Sequence, residues 1–381
     1  MKISKLLLFS SALLISILFS GCKKPGACIS LSKSDPKEDE SITFTSCSTD
    51  ASSFEWDFGD NTSSTEESPA HTYNKEGTYT VKLKALSKNK KKFSETSETI
   101  TVLSKWTTLS SGTTANLNSV HFTDANTGYA AGNNGLIIKT TNGGSSWLAQ
   151  TSNTSQHLNA ITFRNTSSGF IVGANATINK TTDGINWNTS SGFNGALYDV
   201  HFGSGNYGAL VGQSGLVFFT INSGLTYTSN AAIISNDLHG VYFTSTSNAF
   251  AVGNGGTIIK STTGGVAWSI ISSGTSADLN DVFFTDVNTG YAVGNSMILK
   301  TTNAGTSWSQ YTAFSGKINS VYFIDVNTGY AACESGAILK TDNAGGTWTI
   351  HKEPNNVPLN GIYFVNSAGY AVGDNGSMFK F

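Results

Sequence analysis

The stretch Leu117–Trp147, LNSVHFTDANTGYAAGNNGLIIKTTNGGSSW, is repeated over residues 117–381 and decides the fold of this part of the chain. Successive copies begin 39 or 41 residues apart, at Leu117, Leu158, Leu197, Leu238, Leu279, Ile318 and Leu359. A constant period of about forty residues is typical of a repeat architecture.

Each copy contains four strand-like pieces separated by turns rich in Asn and Gly. In the first copy they are Leu117–Phe122, Gly128–Gly132, Leu136–Thr140 and Ser146–Gln150. Four short strands in about forty residues is the pattern of one propeller blade. A four-stranded sheet cannot bury both of its faces alone, so we expect the copies to pack around a common axis.

The seventh copy ends at Phe381, before the aromatic residue that closes the other six, which is Trp147, Trp187, Tyr227, Trp268, Trp308 or Trp348. Trp106 precedes Trp147 by 41 residues and is therefore in register with this column. We predict that the strand around Trp106 pairs with residues 377–380 and completes the last blade. Residues 104–381 are then an all-β, seven-bladed propeller without an open sheet edge.

Two further columns bear on reactive residues. Cys333 stands where the other six copies have Gly, so we predict a small, buried and inert side chain. His121 and His201 share a column with Thr162 and aromatic residues, and we expect them to pack between blades rather than to bind a metal.

The N-terminus has the features of a targeting segment. Lys2 and Lys5 precede an apolar run, Leu6–Phe19, which is short for a membrane span. Small residues then precede Cys22, and this pattern resembles the cleavage box of bacterial lipoproteins. The resemblance implies removal of residues 1–21 and lipidation of Cys22; the alternative is an ordinary secretory signal. We expect a bacterial cell-envelope protein that is anchored to the outer membrane. It could lie on the periplasmic side or on the cell surface.

Residues 22–27 form a short tether, and residues 28–103 predict a small sandwich because several pieces alternate with period two. Three motifs resemble the PKD domain: WDFGD at 56–60, SPAHTY at 68–73 and GTYTV at 77–81. The resemblance implies an immunoglobulin-like fold that acts as a spacer or contact module. His71 is predicted to hydrogen-bond to the turn after Phe58.

Export permits disulfides, and three cysteines remain once Cys22 is lipidated. Cys28 and Cys47 lie close together in the predicted sandwich, so we predict that they form a disulfide.

The sequence that ends each repeat, Thr140–Trp147 in the first copy, resembles the Asp-box or BNR repeat. In that family the motif is structural and lies away from active sites. The repeat as a whole, over residues 106–381, resembles the propellers of photosystem II assembly factors. This resemblance implies a seven-bladed propeller that acts by protein contact.

Composition and charge exclude several functions. A net charge of −2 provides no field for nucleic acid. Sialidases share the Asp-box propeller but need three arginines, and Arg164 is the only arginine. Other Asp-box glycosidases use two carboxylates across a cleft, and no such pair is evident in the sequence. Asp124, Asp286 and Asp325 begin calcium-like patterns that lack the later acid, so we interpret them as turns.

We therefore expect no catalytic residue, no metal and no cofactor. The candidate binding residues are a column at the entrance of the first strands: Asn118, Asn159, Tyr198, His239, Asn280, Asn319 and Asn360. They either ring one mouth of the central channel or cap the turn into each strand. The expected function is a non-catalytic envelope lipoprotein whose propeller binds a protein or a glycan. A divergent Asp-box glycoside hydrolase and an envelope assembly factor are the alternatives.

Overall fold

A computed structural model of the chain describes residues 23–190, 194–311, 314–352 and 355–381. The predicted signal segment, residues 1–21, and Cys22 lie outside the described residues, so cleavage and lipidation stay predictions. The chain forms two compact units that divide between Leu103 and Ser104. Regular structure in the described ranges consists of β-strands and five short 3₁₀ turns, and no helix there has the length and apolar character that a membrane crossing requires.

The first unit is a β-sandwich of a three-stranded sheet, β1–β2–β5, and a four-stranded sheet, β4–β3–β6–β7. Its strands are β1 (Ile29–Leu31), β2 (Ser41–Ser46), β3 (Ser53–Asp57), β4 (Ser63–Ser64), β5 (Ala70–Thr72), β6 (Gly77–Leu86) and β7 (Phe93–Val102).

The sandwich core is aromatic. Trp56, Phe58 and Tyr73 are buried, and the Tyr73 hydroxyl donates a 2.9 Å hydrogen bond to the carbonyl of Phe58. His71 stacks on the Phe58 ring at 4.2 Å and lies 2.7 Å from a carboxylate oxygen of Asp60. The predicted bond from His71 to this turn is therefore confirmed.

Cys28 and Cys47 form a disulfide with their Cα atoms 4.9 Å apart, as the sequence predicted. It joins the loop before β1 to the loop after β2. Closing a loop of this length contributes roughly 3 kcal/mol in the chain-entropy estimate.

The second unit is a ring of seven four-stranded antiparallel sheets. Its first strand is β8 (Thr107–Thr108). Blades 1 to 3 contain β9 (Leu117–Phe122), β10 (Gly128–Gly132), β11 (Ile137–Thr140), β12 (Leu148–Gln150), β13 (Leu158–Phe163), β14 (Gly169–Gly173), β15 (Ile178–Thr181), β16 (Asn188–Ser190), β17 (Leu197–Phe202), β18 (Gly208–Gly212), β19 (Val217–Thr220) and β20 (Thr228–Ser229).

Blades 4 to 7 contain β21 (Leu238–Phe243), β22 (Ala249–Gly253), β23 (Thr257–Ser261), β24 (Ser269–Ile271), β25 (Leu279–Phe284), β26 (Gly290–Gly294), β27 (Met297–Thr301), β28 (Ser309–Tyr311), β29 (Ile318–Phe323), β30 (Gly329–Cys333), β31 (Ile338–Thr341), β32 (Thr349–Lys352), β33 (Leu359–Val365), β34 (Ala368–Gly373) and β35 (Met378–Lys380). The 3₁₀ turns are Asn133–Gly135, Ala174–Ala176, Gln213–Gly215, Asn254–Gly256 and Asp374–Gly376.

The ring closes as the tryptophan register predicted. Strand β8 pairs antiparallel with β35, with Thr107 opposite Lys380 and Thr108 opposite Phe379. Trp106 itself is buried against Tyr330 and Phe364. The first strand of each blade contacts the first strand of the next, and β33 contacts β9. The outer strands are shorter than predicted because the Asp-box turn extends to Trp147, so that β12 begins only at Leu148.

The second strands explain why glycine ends them. A Cβ atom at Gly132 would collide with the carbonyl oxygen of Asn116. Cys333, at the matching position of blade 6, is fully buried as predicted, and burial raises the pKa of its thiol to about 12.

Candidate functional site

The Asp-box residues are engaged in the fold. In blade 1 the Asn142 side-chain oxygen accepts a 2.9 Å hydrogen bond from the backbone N–H of Ser146. The Thr140 hydroxyl oxygen accepts one from the N–H of Gly144 at 3.0 Å. These bonds fix the turn between the third and fourth strands, in keeping with the structural role that the resemblance implied.

The same turn also joins neighbouring blades. The carbonyl of Gly143 accepts hydrogen bonds from the Tyr370 hydroxyl at 3.0 Å and from the Lys380 ammonium at 2.8 Å, both in blade 7. The carbonyl of Gly184 receives the equivalent pair from Tyr129 and Lys139. The most recognisable motif of the chain is therefore an inter-blade contact.

The calcium-like patterns are turns, as interpreted from the sequence. One carboxylate oxygen of Asp124 accepts the backbone N–H groups of Asn126 and Thr127 at 2.8 and 2.9 Å. These bonds lower the pKa of Asp124. Asp286 and Asp325 repeat the arrangement in blades 5 and 6.

The candidate binding residues surround one mouth of the central channel. All seven line a cavity of about 460 Å³, together with Asn254, Asp278, Asn295 and Lys317. The cavity lies where the first strands begin and where the loops between second and third strands end. Its volume is in the range of ordinary ligand pockets. Whether it binds a ligand stays a prediction.

Five of the seven residues are asparagines that share one bonding pattern. Each side-chain amide donates to the first backbone carbonyl of the next blade's inner strand, at 2.7 to 3.1 Å: Asn118 to Leu158, Asn159 to Leu197, Asn280 to Ile318, Asn319 to Leu359 and Asn360 to Leu117. The asparagines therefore join neighbouring blades. The alternative prediction, that each caps the turn into its own strand, did not include this contact.

Tyr198 and His239 interrupt this pattern in blades 3 and 4. Their rings lie 5.1 Å apart. The Tyr198 hydroxyl lies 3.5 Å from a carboxylate oxygen of Asp237, and His239 Nε2 lies 2.8 Å from the side-chain oxygen of Asn254. The mouth thus has an aromatic sector in an otherwise amide-lined ring.

Below the mouth lies a layer that contains two carboxyl groups, Asp199 and Asp281. They line a smaller cavity of about 130 Å³. Asp199 accepts the backbone N–H groups of Val200 and Val241, both at 2.8 Å. Asp281 accepts those of Val282 and Val321 at 2.7 and 2.9 Å, and the Ser320 hydroxyl at 3.0 Å.

Burial dominates the electrostatics of these two groups. It raises the pKa of Asp199 to about 7, with a further contribution from the charge of Asp281, and raises the pKa of Asp281 to about 6. Sequence reasoning found no pairing between them. A signal was present, because both occupy the third position of an inner strand, where the other copies have only Ser, Ala or Gly.

Farther along the channel the side chains form an aromatic collar, defined by His121, His201, Tyr242, Phe283, Tyr322 and Tyr363. Neighbouring rings in the order His201, Tyr242, Phe283, Tyr322, Tyr363, His121 are 4.5 to 5.1 Å apart. The two histidines therefore pack across blade boundaries, as expected, but they also face the channel. Burial lowers the pKa of His121 to about 3 and that of His201 to about 4.

The collar and the two carboxyl groups line one cavity of about 310 Å³. Within the described parts of the chain, no three His, Cys, Asp or Glu side chains are grouped so that they could hold a metal ion. The channel offers hydrogen-bond acceptors and aromatic faces.

The fold defines a class: a seven-bladed β-propeller preceded by a PKD domain. Residues 25–102 match the family model of the PKD domain. Residues 98–190 match the family model described as photosynthesis system II assembly factor YCF48. The resemblances to the PKD domain and to the photosystem II assembly factors are thus confirmed.

Solved structures share the propeller fold. A structure titled YCF48 bound to D1 peptide is 20% identical, with a TM-score of 0.62, and the match covers 73% of this chain and 95% of that one. YCF48 from Cyanidioschyzon merolae is 19% identical, with a TM-score of 0.60 and coverage of 72% and 98%. The WD40 propeller domain of Doa1 is 12% identical, with a TM-score of 0.61 and coverage of 73% and 97%. At these identities the likeness establishes the fold.

Proposed function

We propose that this protein is a non-catalytic lipoprotein of the bacterial cell envelope, in which the PKD domain is a spacer and the propeller binds a partner. A partner protein is favoured over a glycan. The observation that carries the proposal is the polar cavity at the channel mouth, whose lining includes one candidate binding residue from each of the seven blades. Such a site needs the complete ring, because every blade contributes at least one side chain.

The use of the motif residues supports binding over catalysis. The Asp-box side chains, the Asp-Asn turns and the channel asparagines all hold the propeller together. The Asp-box and turn side chains are engaged in the fold, whereas the channel asparagines also line the cavity and are available for recognition.

The comparisons favour a protein as the partner. The structure of YCF48 bound to D1 peptide shares the fold of this propeller and holds a peptide ligand. By analogy, the propeller described here contacts a protein, and an assembly role for an envelope complex is the more specific form of this proposal.

Capture of partners tests this function. The full chain, produced with its lipoprotein signal and a C-terminal affinity tag, is crosslinked in cells and purified with its partners. A matched chain in which Trp106→Ala weakens ring closure serves as the control. We expect a defined protein to be captured by the wild type and lost with the control. If both chains capture the same proteins, or neither captures any, the proposal is wrong.

One observation favours the alternative of a glycoside hydrolase. Asp199 and Asp281 share a channel and have raised pKa values, as a general acid requires. Against it, every carboxylate oxygen of the pair is hydrogen-bonded to a backbone N–H, and the cavity of about 130 Å³ above them is small for a sugar ring. Polysaccharide hydrolysis that disappears in Asp199→Asn would establish the alternative.

The membrane anchor is tested separately. We propose that Cys22 carries the lipid and that the protein lies on the outer membrane. Labelling with a clickable fatty acid should mark the wild type and not Cys22→Ser, whereas Cys333→Ser should be labelled normally. Protease treatment of intact cells then distinguishes surface exposure from a periplasmic location. Equal labelling of the wild type and Cys22→Ser would contradict lipidation at this residue.

A further inference from the structure

We propose that the central channel of the propeller is a receptor for a single cationic side chain, arginine or lysine, supplied by the partner protein. The site comprises the amide ring, defined by Asn118, Asn159, Asn280, Asn319 and Asn360, the carboxyl groups of Asp199 and Asp281, and the aromatic collar beyond them. This inference rests on the proposed function, since it names the chemistry by which the propeller would hold its partner.

The amide ring presents oxygen atoms. Each Nδ2 atom is held by a backbone carbonyl of the next blade, so turning the amide over would set oxygen against oxygen. None of the five Oδ1 atoms accepts a hydrogen bond from the parts of the chain that the structure describes. The five Oδ1 atoms are not among the fully buried side-chain atoms that lack a partner, so each retains some accessible surface, and all five residues line the cavity. The mouth therefore offers five fixed acceptors and calls for a ligand rich in donors.

The carboxyl groups retain capacity to accept. A carboxylate has about four lone-pair sites. Asp199 uses two of them and Asp281 three, all for backbone N–H groups or the Ser320 hydroxyl. No Lys or Arg among the described residues forms an ion pair with either group. The channel therefore holds two carboxyl groups without a counter-charge, and a ligand cation would supply it.

The aromatic collar favours the same ligand. Its six rings line the cavity that also contains Asp199 and Asp281. A guanidinium or ammonium group is attracted to aromatic faces, and the attraction increases when the cation is desolvated. Amide oxygens, carboxylates and aromatic faces each stabilise a cation, whereas an anionic or apolar ligand would gain little from the first two.

The dimensions fit one side chain. The cavity of about 460 Å³ at the mouth adjoins a smaller one of about 130 Å³, which the two carboxyl groups line together with the amide ring. The outer volume suits several residues of a peptide, and the inner volume admits only a slender group. An extended arginine or lysine side chain meets both conditions, because its aliphatic stem is narrow and its charge is at the tip.

The titratable groups that face this site are few. Toward the mouth they are Asp237, Asp278, Asp374, Lys317, Tyr198 and His239, and toward the collar they are His121, His201 and the three tyrosines. His121 and His201 are neutral above about pH 5, since burial lowers their pKa values to about 3 and about 4. Ionisation of Asp199 and Asp281 therefore changes the charge of the inner site between about pH 5 and pH 8.

The test compares two fluorescent peptides that differ in one group. One carries a central arginine in a Gly/Ser sequence, and the other carries citrulline, which has nearly the same shape without the charge. Binding to the full chain is measured by anisotropy at low ionic strength. We expect the arginine peptide to bind at least about tenfold more tightly, the effect of one charged hydrogen-bonded contact. Equal binding of the two peptides, or no binding of either, overturns the proposal.

Variants locate the contact. Asp199→Asn with Asp281→Asn should weaken arginine binding about tenfold, while the matched pair Asp286→Asn with Asp325→Asn, at exposed turns, should not. If the Asp199→Asn/Asp281→Asn variant does not fold, the wild type alone provides the test. Its affinity for the arginine peptide should rise between pH 5.5 and pH 8, whereas its affinity for the citrulline peptide should not change. Affinity that is independent of pH would contradict a role for the two carboxyl groups.

The partner-capture experiment separates this inference from the proposed function. Capture of the same partner by the wild type and by a folded Asp199→Asn/Asp281→Asn variant would overturn the channel site and leave the binding function intact. Loss of capture in this variant, with retention in the Asp286→Asn/Asp325→Asn control, is the expected result.

Discussion

The side-chain amide of Asn360 donates a 3.1 Å hydrogen bond to the backbone carbonyl of Leu117, which joins the last inner strand to the first. The same amide nitrogen lies 2.9 Å from a carboxylate oxygen of Asp374. One side chain at the channel mouth thus contributes to closing the ring and to fixing a 3₁₀ turn of blade 7.

Asn360→Ala should therefore destabilise the propeller. The Leu117 carbonyl loses a donor in a half-buried position, and we expect a loss of about 1–3 kcal/mol in the free energy of unfolding. Urea unfolding of the full chain measures this value. Asn327→Ala, the same change at an exposed turn, is the control and should have little effect. Equal stability of the two variants would mean that the amide contributes nothing to closure.

Thr301→Val tests the structural role of the Asp-box. The buried Thr301 hydroxyl accepts the backbone N–H groups of Gly305 at 3.0 Å and Asn303 at 3.3 Å. Valine has a similar shape but no acceptor, so we expect a loss of about 1–3 kcal/mol. Thr302→Val, at the exposed neighbouring position, should be nearly neutral. The melting temperatures of the two variants give the comparison, and a normal melting temperature for Thr301→Val would be evidence against this role.

Acid should weaken the PKD domain through Asp60. Burial alone would raise its pKa, but hydrogen bonds from Thr62 and His71 outweigh this effect and lower it. The stabilisation is present above the unfolded-state pKa of about 3.9 and is lost as the pH falls through the lower folded-state value. Asp60→Asn should therefore reduce stability more at pH 7 than at pH 3, as measured by urea unfolding. An equal reduction at both pH values would exclude this linkage.

The two channel carboxyl groups should have the opposite effect on the propeller. Their folded-state pKa values, about 7 for Asp199 and about 6 for Asp281, lie above the unfolded value. The folded state then binds more protons between about pH 4 and pH 7, so stability falls as the pH rises through this window. Melting temperatures from pH 4 to pH 8 should show this decline, and Asp199→Asn/Asp281→Asn should flatten it. A decline that persists unchanged in the variant would assign it to other groups.

Local sequence patterns were sufficient to predict the architecture. The 39- and 41-residue steps predicted the blades, and the register of Trp106 with Trp147 predicted closure, because both depend on the spacing of side chains that pack in every copy. The Asp-box likewise carries its geometry in one short turn, so its structural role could be predicted from the sequence around Asn142.

The interior of the channel could be predicted only in part. The column that begins at Asn118 was identified, but its bonding partner lies on another blade, 40 residues away. Asp199 and Asp281 are in different repeats and come together only because the blades curve around an axis. Periodicity gives the order of the blades, whereas the spatial relation of two side chains across the channel depends on the closed ring.

The pairing of β8 with β35 has a consequence for biosynthesis. Thr107 and Lys380 are in contact although 273 residues separate them in the sequence. During synthesis, β8 is made early and has no strand partner until β35 has also been made. In a chain that ends before β35, blade 7 is incomplete. The segment around Thr107 is then unpaired and accessible to proteases. Ring closure therefore requires the complete propeller sequence, because β8 can pair only when β35 is present.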